Sequence, residues 1–241
     1  MKLRQIKRSD LTIPGRRLVF AAMCLACSLP AWQASARTIV VRPDGSGDFP
    51  TIQIALDEAS KNDVIQLARG TYRGRGKRNL DFLGLKITLR GDPANPGSRV
   101  IDCAGSRRGD EIQRAIHMEN GEGRGTVVEG ITFVGSQMAA NEPLDTAGGL
   151  LLCRGASPII RDCVFRTGRA YSGGAIRLER SNAEITRCRF ENNSAEMGGA
   201  VMVAFGAPVL KECRFQDNHA ARGGAVYSML ADMVITACTF E

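Results

Sequence analysis

Tryptophan occurs once in this chain, at position 32, and histidine twice, at 117 and 219; aromatic residues of all kinds make up 5% of the 241. So few rings leave Tyr72, Tyr171, Tyr227 and the phenylalanines as the whole supply for any platform on which a sugar could stack. No apolar run reaches the ~20 residues needed to span a bilayer. The longest, Leu18 to Leu29, follows a basic stretch and precedes Pro30 and Ala34-Ser35-Ala36, the pattern of a secretory signal peptide with cleavage expected after Ala36. Arg16-Arg17 also fits a twin-arginine signal.

A lasting charge of one sign is missing too. The formal net charge is +7, from 32 basic and 25 acidic residues. Six of those basic residues and one acidic residue lie before Arg37, so the mature chain carries 26 against 24, or +2. That balance argues against nucleic acid as a partner. The sequence therefore describes an exported protein, periplasmic, cell-surface or extracellular, with no transmembrane segment in its mature part.

What is present is a repeat. Gly-Gly recurs at 148, 173, 198 and 223, always 25 residues apart, and Cys-x-Phe recurs in the same register at Cys163, Cys188, Cys213 and Cys238. Gly130-Ile131-Thr132-Phe133 is an earlier copy without cysteine, and Phe133 precedes Phe165 by 32 residues, so seven have been inserted. Behind each Gly-Gly the apolar residues alternate (Leu151/Cys153, Ile176/Leu178, Val201/Val203, Val226/Ser228), the period of a strand. About 25 residues per turn, with no helical stretch and glycine or asparagine at the corners, predict an all-β fold, a right-handed parallel β-helix of three short strands per coil. Asn193 and Asn218 are expected to stack as an amide ladder.

Six cysteines remain after the leader. Four of them occupy one repeat position and should point inward one above another as buried thiols. A tetrahedral metal site is disfavoured there, since a column lacks convergence and a neighbouring histidine. Upstream, Pro50 to Ser60 places Ile52, Ala55, Leu56 and Ala59 on one helical face. That short helix should cover the open end of the first coil, with proline in its first turn. The chain divides into a signal peptide over 1–36, an N-terminal cap with the first irregular coils over 37–105, and regular repeats over 106–241. Ending directly after a Cys-x-Phe element, the repeats are expected to continue in a longer parent chain.

Asp44-Gly45-Ser46-Gly47-Asp48-Phe49, Thr51-Ile52-Gln53 and Gly70-Thr71-Tyr72 resemble the opening of pectate-lyase-like β-helix proteins, including pectin methylesterases. Asp81 to Leu89 with Val100-Ile101-Asp102-Cys103 is similar to bacterial exported β-helix proteins. Phe190-x-x-Asn193 and Phe215-x-x-Asn218, each followed by Gly-Gly-Ala-Val, resemble the repeats of polymorphic outer-membrane proteins, which are adhesins; Gly168 departs from that motif. The resemblance implies the coil, while lyases, hydrolases, esterases and adhesins all share it.

The residues that would select an enzyme among these are missing from their motifs. A pectin methylesterase would need segments like Gln-Asp-Thr and Asp-Phe-Ile-Phe-Gly, and a polygalacturonase Asn-Thr-Asp and Gly-His-Gly; the sequence has none of them. A pectate lyase needs clustered carboxylates for Ca²⁺ and a base. The outward rows predicted behind Gly-Gly are Leu152, Arg177, Met202, Tyr227 and Arg154, Glu179, Ala204, Met229, with one carboxylate. No catalytic residue and no cofactor is assigned, Ca²⁺ entering only with the lyase alternative. Glu142 and Asp145, in the insertion, are expected beside Arg154, Arg177 and Glu179, and with Tyr227 they form the candidate surface for an acidic glycan or a cell-surface partner, the alternative being an ordinary solvated turn. The first reading is a non-catalytic, adhesin-like or polysaccharide-binding protein; the second is a polysaccharide lyase or related carbohydrate-active enzyme.

Overall fold

Every strand of the coil pairs in parallel with its copy one turn away, so the sequence repeat becomes a stack. The computed structural model describes residues 36–104, 114–136 and 148–241. Three walls result. The first has eight strands: Thr38–Val41, Val64–Leu67, Thr88–Arg90, Val127–Glu129, Ile159–Arg161, Glu184–Thr186, Val209–Lys211 and Val234–Thr236. The second has seven: Gly70–Tyr72, Arg99–Asp102, Thr132–Val134, Val164–Arg166, Arg189–Glu191, Arg214–Gln216 and Thr239–Phe240. The third has six: Leu80–Asp81, Ile116–Met118, Leu151–Arg154, Ile176–Glu179, Val201–Ala204 and Val226–Met229. The chain visits the walls in that order, winding as a right-handed parallel β-helix. A small fourth sheet, Ser194–Met197 with His219–Arg222, lies in the passage from the second wall to the third and was not expected from the sequence.

In-register pairing explains why like residues recur. Phe133, Phe165, Phe190, Phe215 and Phe240 form one column with ring centroids 4.7–5.3 Å apart and nearly parallel planes. The spacing matches the ~4.8 Å between neighbouring strands. Ile160, Ile185 and Leu210 line the first wall's interior, and Ile116, Leu151, Ile176 and Val201 the third's. Cys163, Cys188 and Cys213 are buried and Cys238 is half-buried, all with free thiols.

The asparagine ladder has two members. The Asn193 side chain donates to Phe165 O (3.0 Å) and to Asn218 Oδ1 (2.9 Å), while Asn218 donates to Phe190 O (2.9 Å). Asn193 Oδ1 in turn accepts from the Gly168 amide (2.9 Å), so the glycine that breaks the motif is still served by the ladder.

The corner before the third wall keeps the expected glycines, Gly148, Gly173, Gly198 and Gly223, at positive φ, but the corner between the first and second walls departs from the expectation. The two-residue turn between the first and second walls carries Asp162, Arg187, Glu212 and Ala237 in the left-handed region, with φ of 50–55°. Stacking each corner on the next supplies backbone hydrogen bonds, Asp162 N to Thr186 O and Arg187 N to Lys211 O among them, and these outweigh a cost of ~1 kcal/mol per residue.

The helix is shorter than the sequence pattern, Ile52–Asp57, because Thr51 caps it: Thr51 Oγ1 accepts from the Ile54 amide at 3.2 Å. Pro50 therefore precedes the cap instead of sitting in the first turn. Ile52, Ala55 and Leu56 are wholly buried against the strands Thr38–Val41, Val64–Leu67 and Leu80–Asp81. Gln53 completes the cover. Its amide donates to Asp81 O (3.1 Å) and its carbonyl accepts from the Asp81 amide (2.9 Å), a side chain standing in for the missing neighbour strand. The predicted leader and the inserted residues Glu142 and Asp145 lie outside the described residues, apart from Ala36.

Candidate functional site

The outward face of the third wall carries a row of charged side chains and a histidine. Register stacks Asp81, His117, Leu152, Arg177, Met202 and Tyr227 in one row. Arg154, Glu179, Ala204 and Met229 form a second row two residues along, with Glu119 just beyond the strand Ile116–Met118.

Arg154 and Glu179 meet as the sequence suggested. Arg154 lies between Glu119 (2.9 Å) and Glu179 (3.3 Å), and Glu179 also faces Arg177 (3.5 Å) and Arg180 (3.3 Å). Arg177 and Glu179 are only 17% and 19% exposed, so this lattice is a fixed part of the surface rather than a set of waving side chains. Three guanidiniums against two carboxylates leave one positive charge and several N–H donors for a ligand's hydroxyl or carboxylate oxygens.

Other candidates part from this cluster. Tyr227 is half-buried and two strands away from Arg177, with Met202 between them. Leu152, Met202 and Ala204 are buried although they stand on the outer face. The Arg177 guanidinium lies 3.9 Å from Met202 Sδ and so shields that side chain from solvent.

Sequence reasoning missed the lower end of the face. There His117 Nε2 lies 3.6 Å from Asp81 Oδ2, beyond direct hydrogen-bond length, and Asn120 Nδ2 donates to Asp81 Oδ1 at 2.9 Å. His117 Nδ1 is buried without a partner. A carboxylate beside an imidazole is, among the described residues, the one acid–base pair on this face. The signal for it was the alternation Ile116-His117-Met118, which marks a strand with His117 facing out.

A basic corner adjoins the face where the second wall passes to the third. Arg73, Gly74, Arg78, Asp102 and Ala104 line a groove there. Asp102 is bound by Arg73 at 2.7 Å, whereas Arg78 reaches, among the described residues, a neutral acceptor, Cys103 O at 3.2 Å. Arg75, between two glycines of positive φ, is exposed and makes no hydrogen bond or ion pair among the described residues.

No protein-family model matches the chain. A probable pectinesterase/pectinesterase inhibitor of Arabidopsis thaliana is 34% identical over 105 residues, which are 43% of this chain and 19% of that protein. The chain thus spans about a fifth of the length of the curated relative it matches. Among solved structures, a pectin methylesterase from carrot is 16% identical, with a TM-score of 0.35 over 86% of this chain and 83% of the other.

Proposed function

We propose that this chain is an exported polysaccharide-binding β-helix, held outside the cytoplasm, that takes an acidic glycan along the outer face of its third wall. The observation that carries the reading is the ordered lattice of Glu119, Arg154, Glu179 and Arg177, with a basic corner of Arg73, Arg75 and Arg78 where the chain enters the same wall one coil or more away. A flat, rigid face with donors at the ~4.8 Å strand spacing suits an extended polymer, since repeated contacts along one chain add without reorganisation of the protein. The adhesin-like role belongs to this same reading: a wall surface that holds a glycan is what anchors a cell-surface protein.

The second reading, a carbohydrate-active enzyme, is favoured by one specific feature, the Asp81–His117 pair on the same face, and by the pectinesterase named in the sequence match. The two separate in one set of measurements on the processed chain, whose N-terminal residue is expected to be Arg37. In calorimetric titration with oligogalacturonates, R177A/E179A should weaken binding at least tenfold. Methanol release from esterified pectin, and the absorbance of unsaturated products with Ca²⁺, should stay at background. Unchanged binding in the double variant sinks the first reading, and turnover that H117A abolishes establishes the second.

A further inference from the structure

Asp63 is a carboxylate buried beside the first strand of the coil. It is 2% exposed and lies in the turn, 60–63, that leads from the helix Ile52–Asp57 to the strand Val64–Leu67. A carboxylate withdrawn from water needs partners for both oxygens. Among the described residues Oδ2 accepts from Arg37 Nη2 at 2.7 Å, the Ser60 amide at 2.9 Å and Arg37 Nε at 3.0 Å. Oδ1 accepts from the main-chain nitrogen of Arg37, at 2.8 Å. The same guanidinium reaches on to Glu58 O, at the end of the helix, at 3.1 Å. Residue 37 is thus held on Asp63 by its side chain and its backbone together, one position ahead of the strand Thr38–Val41.

The backbone contact falls at the bond where the leader is expected to be cut. In the uncut chain that nitrogen is a neutral amide. Hydrolysis of the Ala36–Arg37 bond by a signal peptidase consumes one water, leaves a carboxylate on Ala36 and gives Arg37 an amine, which takes up a proton at neutral pH. Ala36 and Arg37 are exposed, so two N–H groups of the new ammonium stay in water while the third points at Asp63. Burial pushes the Asp63 acid up, but hydrogen bonds from Arg37 and Ser60 outweigh burial and hold it below the ordinary carboxylate range, so it is ionised when the ammonium forms. Both partners of the 2.8 Å contact are then charged, and the pair draws closer than an amide and a carboxylate do.

We propose that Asp63 is the receptor for the α-ammonium that cleavage before Arg37 creates, so that processing itself fastens the first strand to the capping helix. The ligand of this site is a primary ammonium belonging to the chain. The proposal rests on the export part of the function proposed above and makes no use of a glycan. Its register is narrow: a chain beginning at Ala36 or Thr38 carries its charge one residue away, roughly 3.5 Å along an extended backbone. The guanidinium already on Asp63 repels a second positive charge, and the Glu58 carboxylate beside that guanidinium offsets part of the repulsion. The gain expected is therefore modest, about tenfold in the equilibrium that keeps the first coil closed.

The test has two parts. N-terminal sequencing of the chain exported by a bacterial host that makes the 241-residue precursor should read Arg37-Thr38-Ile39. Native-state hydrogen exchange then compares the processed chain with the same chain acetylated on the Arg37 nitrogen, which restores a neutral amide and keeps its hydrogen bond. Acetylation should speed exchange about tenfold in Thr38–Val41 and Val64–Leu67, leave Ile176–Glu179 unchanged, and have no effect in D63N. A different first residue overturns the proposal and leaves export standing, whereas retention of an uncut leader inside the cell overturns both. Arg37 as first residue, with exchange unmoved by acetylation or moved equally in D63N, overturns the proposal alone. If D63N does not fold, the processed chain with Ala36 retained decides: it should exchange like the acetylated chain, and full protection in it overturns the proposal.

Discussion

At position 174 the backbone leaves no room for a side chain: a methyl group there would come within 2.2 Å of Gly199 O and 2.7 Å of Ser194 O. Gly173 beside it sits at φ +67°. The recurring Gly-Gly is thus one left-handed residue followed by one that must be bare, so that coils can close up at the corner before the third wall. Glu129 is the opposite case, a charged residue made necessary by its neighbours. Its side chain is 4% exposed and clamped by Arg90 and by Arg161, at 2.6 Å from the latter. Burial alone would raise its pKa, but hydrogen bonds from Arg90 and Arg161 outweigh burial and lower it. A folded-state pKa below the unfolded ~4.3 means stabilisation that is whole above about pH 5 and fades as pH falls through 4.3 and on through the lower folded value. E129Q is therefore expected to cost about 2 kcal/mol at pH 7, from hydrogen bonds to a charged group, and almost nothing near pH 2. Urea denaturation at the two pH values checks this, and an equal loss at both would disprove the ionic account.

The phenylalanine column shows how one side chain's worth depends on its coil. Phe190 is wholly buried between Phe165 and Phe215, whereas Phe240 has one stacked neighbour and is 50% exposed. Truncating a buried phenylalanine costs ~3–5 kcal/mol through lost transfer energy and a cavity. F190A should fall in that range and F240A at less than half of it, a comparison that thermal or urea unfolding of the two variants makes directly; equal costs would mean the column does not stack as described. The column was legible in the sequence because in-register pairing turns a geometric period into a sequence period of 25. The same rule explains what was not legible. From Leu152 to Arg177 the spacing is 25, but the passages between the second and third walls are longer below, so Asp81, His117 and Leu152 fall 36 and 35 residues apart. With the period lost, the alternation at Ile116-His117-Met118 could mark a strand but not stack His117 on Asp81, whereas Arg154, Arg177 and Glu179, inside the regular coils, could be stacked from the sequence and do meet. Gln53 acting as a substitute strand and the left-handed Arg187 and Glu212 were hidden for another reason: tertiary hydrogen bonding overrode local preference.

Coils that touch only their neighbours make the molecule nearly one-dimensional, so its stability is a sum along the stack rather than a single property. The two ends of the 241-residue chain differ in that sum. At the first coil, Ile52, Ala55 and Leu56 seal the interior and Gln53 satisfies the strand edge at Asp81. In the middle, Val201–Ala204 is buried at all four positions. One coil further, Val226–Met229 is half-open, and Val234, Ile235 and Phe240 are 40–50% exposed. Each coil contributes buried area on two faces when it has two neighbours and on one face when it has one, so opening the last coil costs only a fraction of global unfolding. Native-state hydrogen exchange should therefore show a gradient: slow amides in Ile176–Glu179, Ile185 and Phe190, and amides of 226–240 exchanging through local opening at much lower free energy. The N-terminal strands Val64–Leu67 and Thr88–Arg90, beneath the helix, should stay closer to the middle than to the last coil. Uniform protection along all three walls would show that the coils unfold as one unit and that the one-dimensional picture is wrong. A gradient of the expected sense would also predict that a ligand lying across several strands of the third wall raises protection most where strands are least buried, at Tyr227, because a bridge between coils adds contacts there.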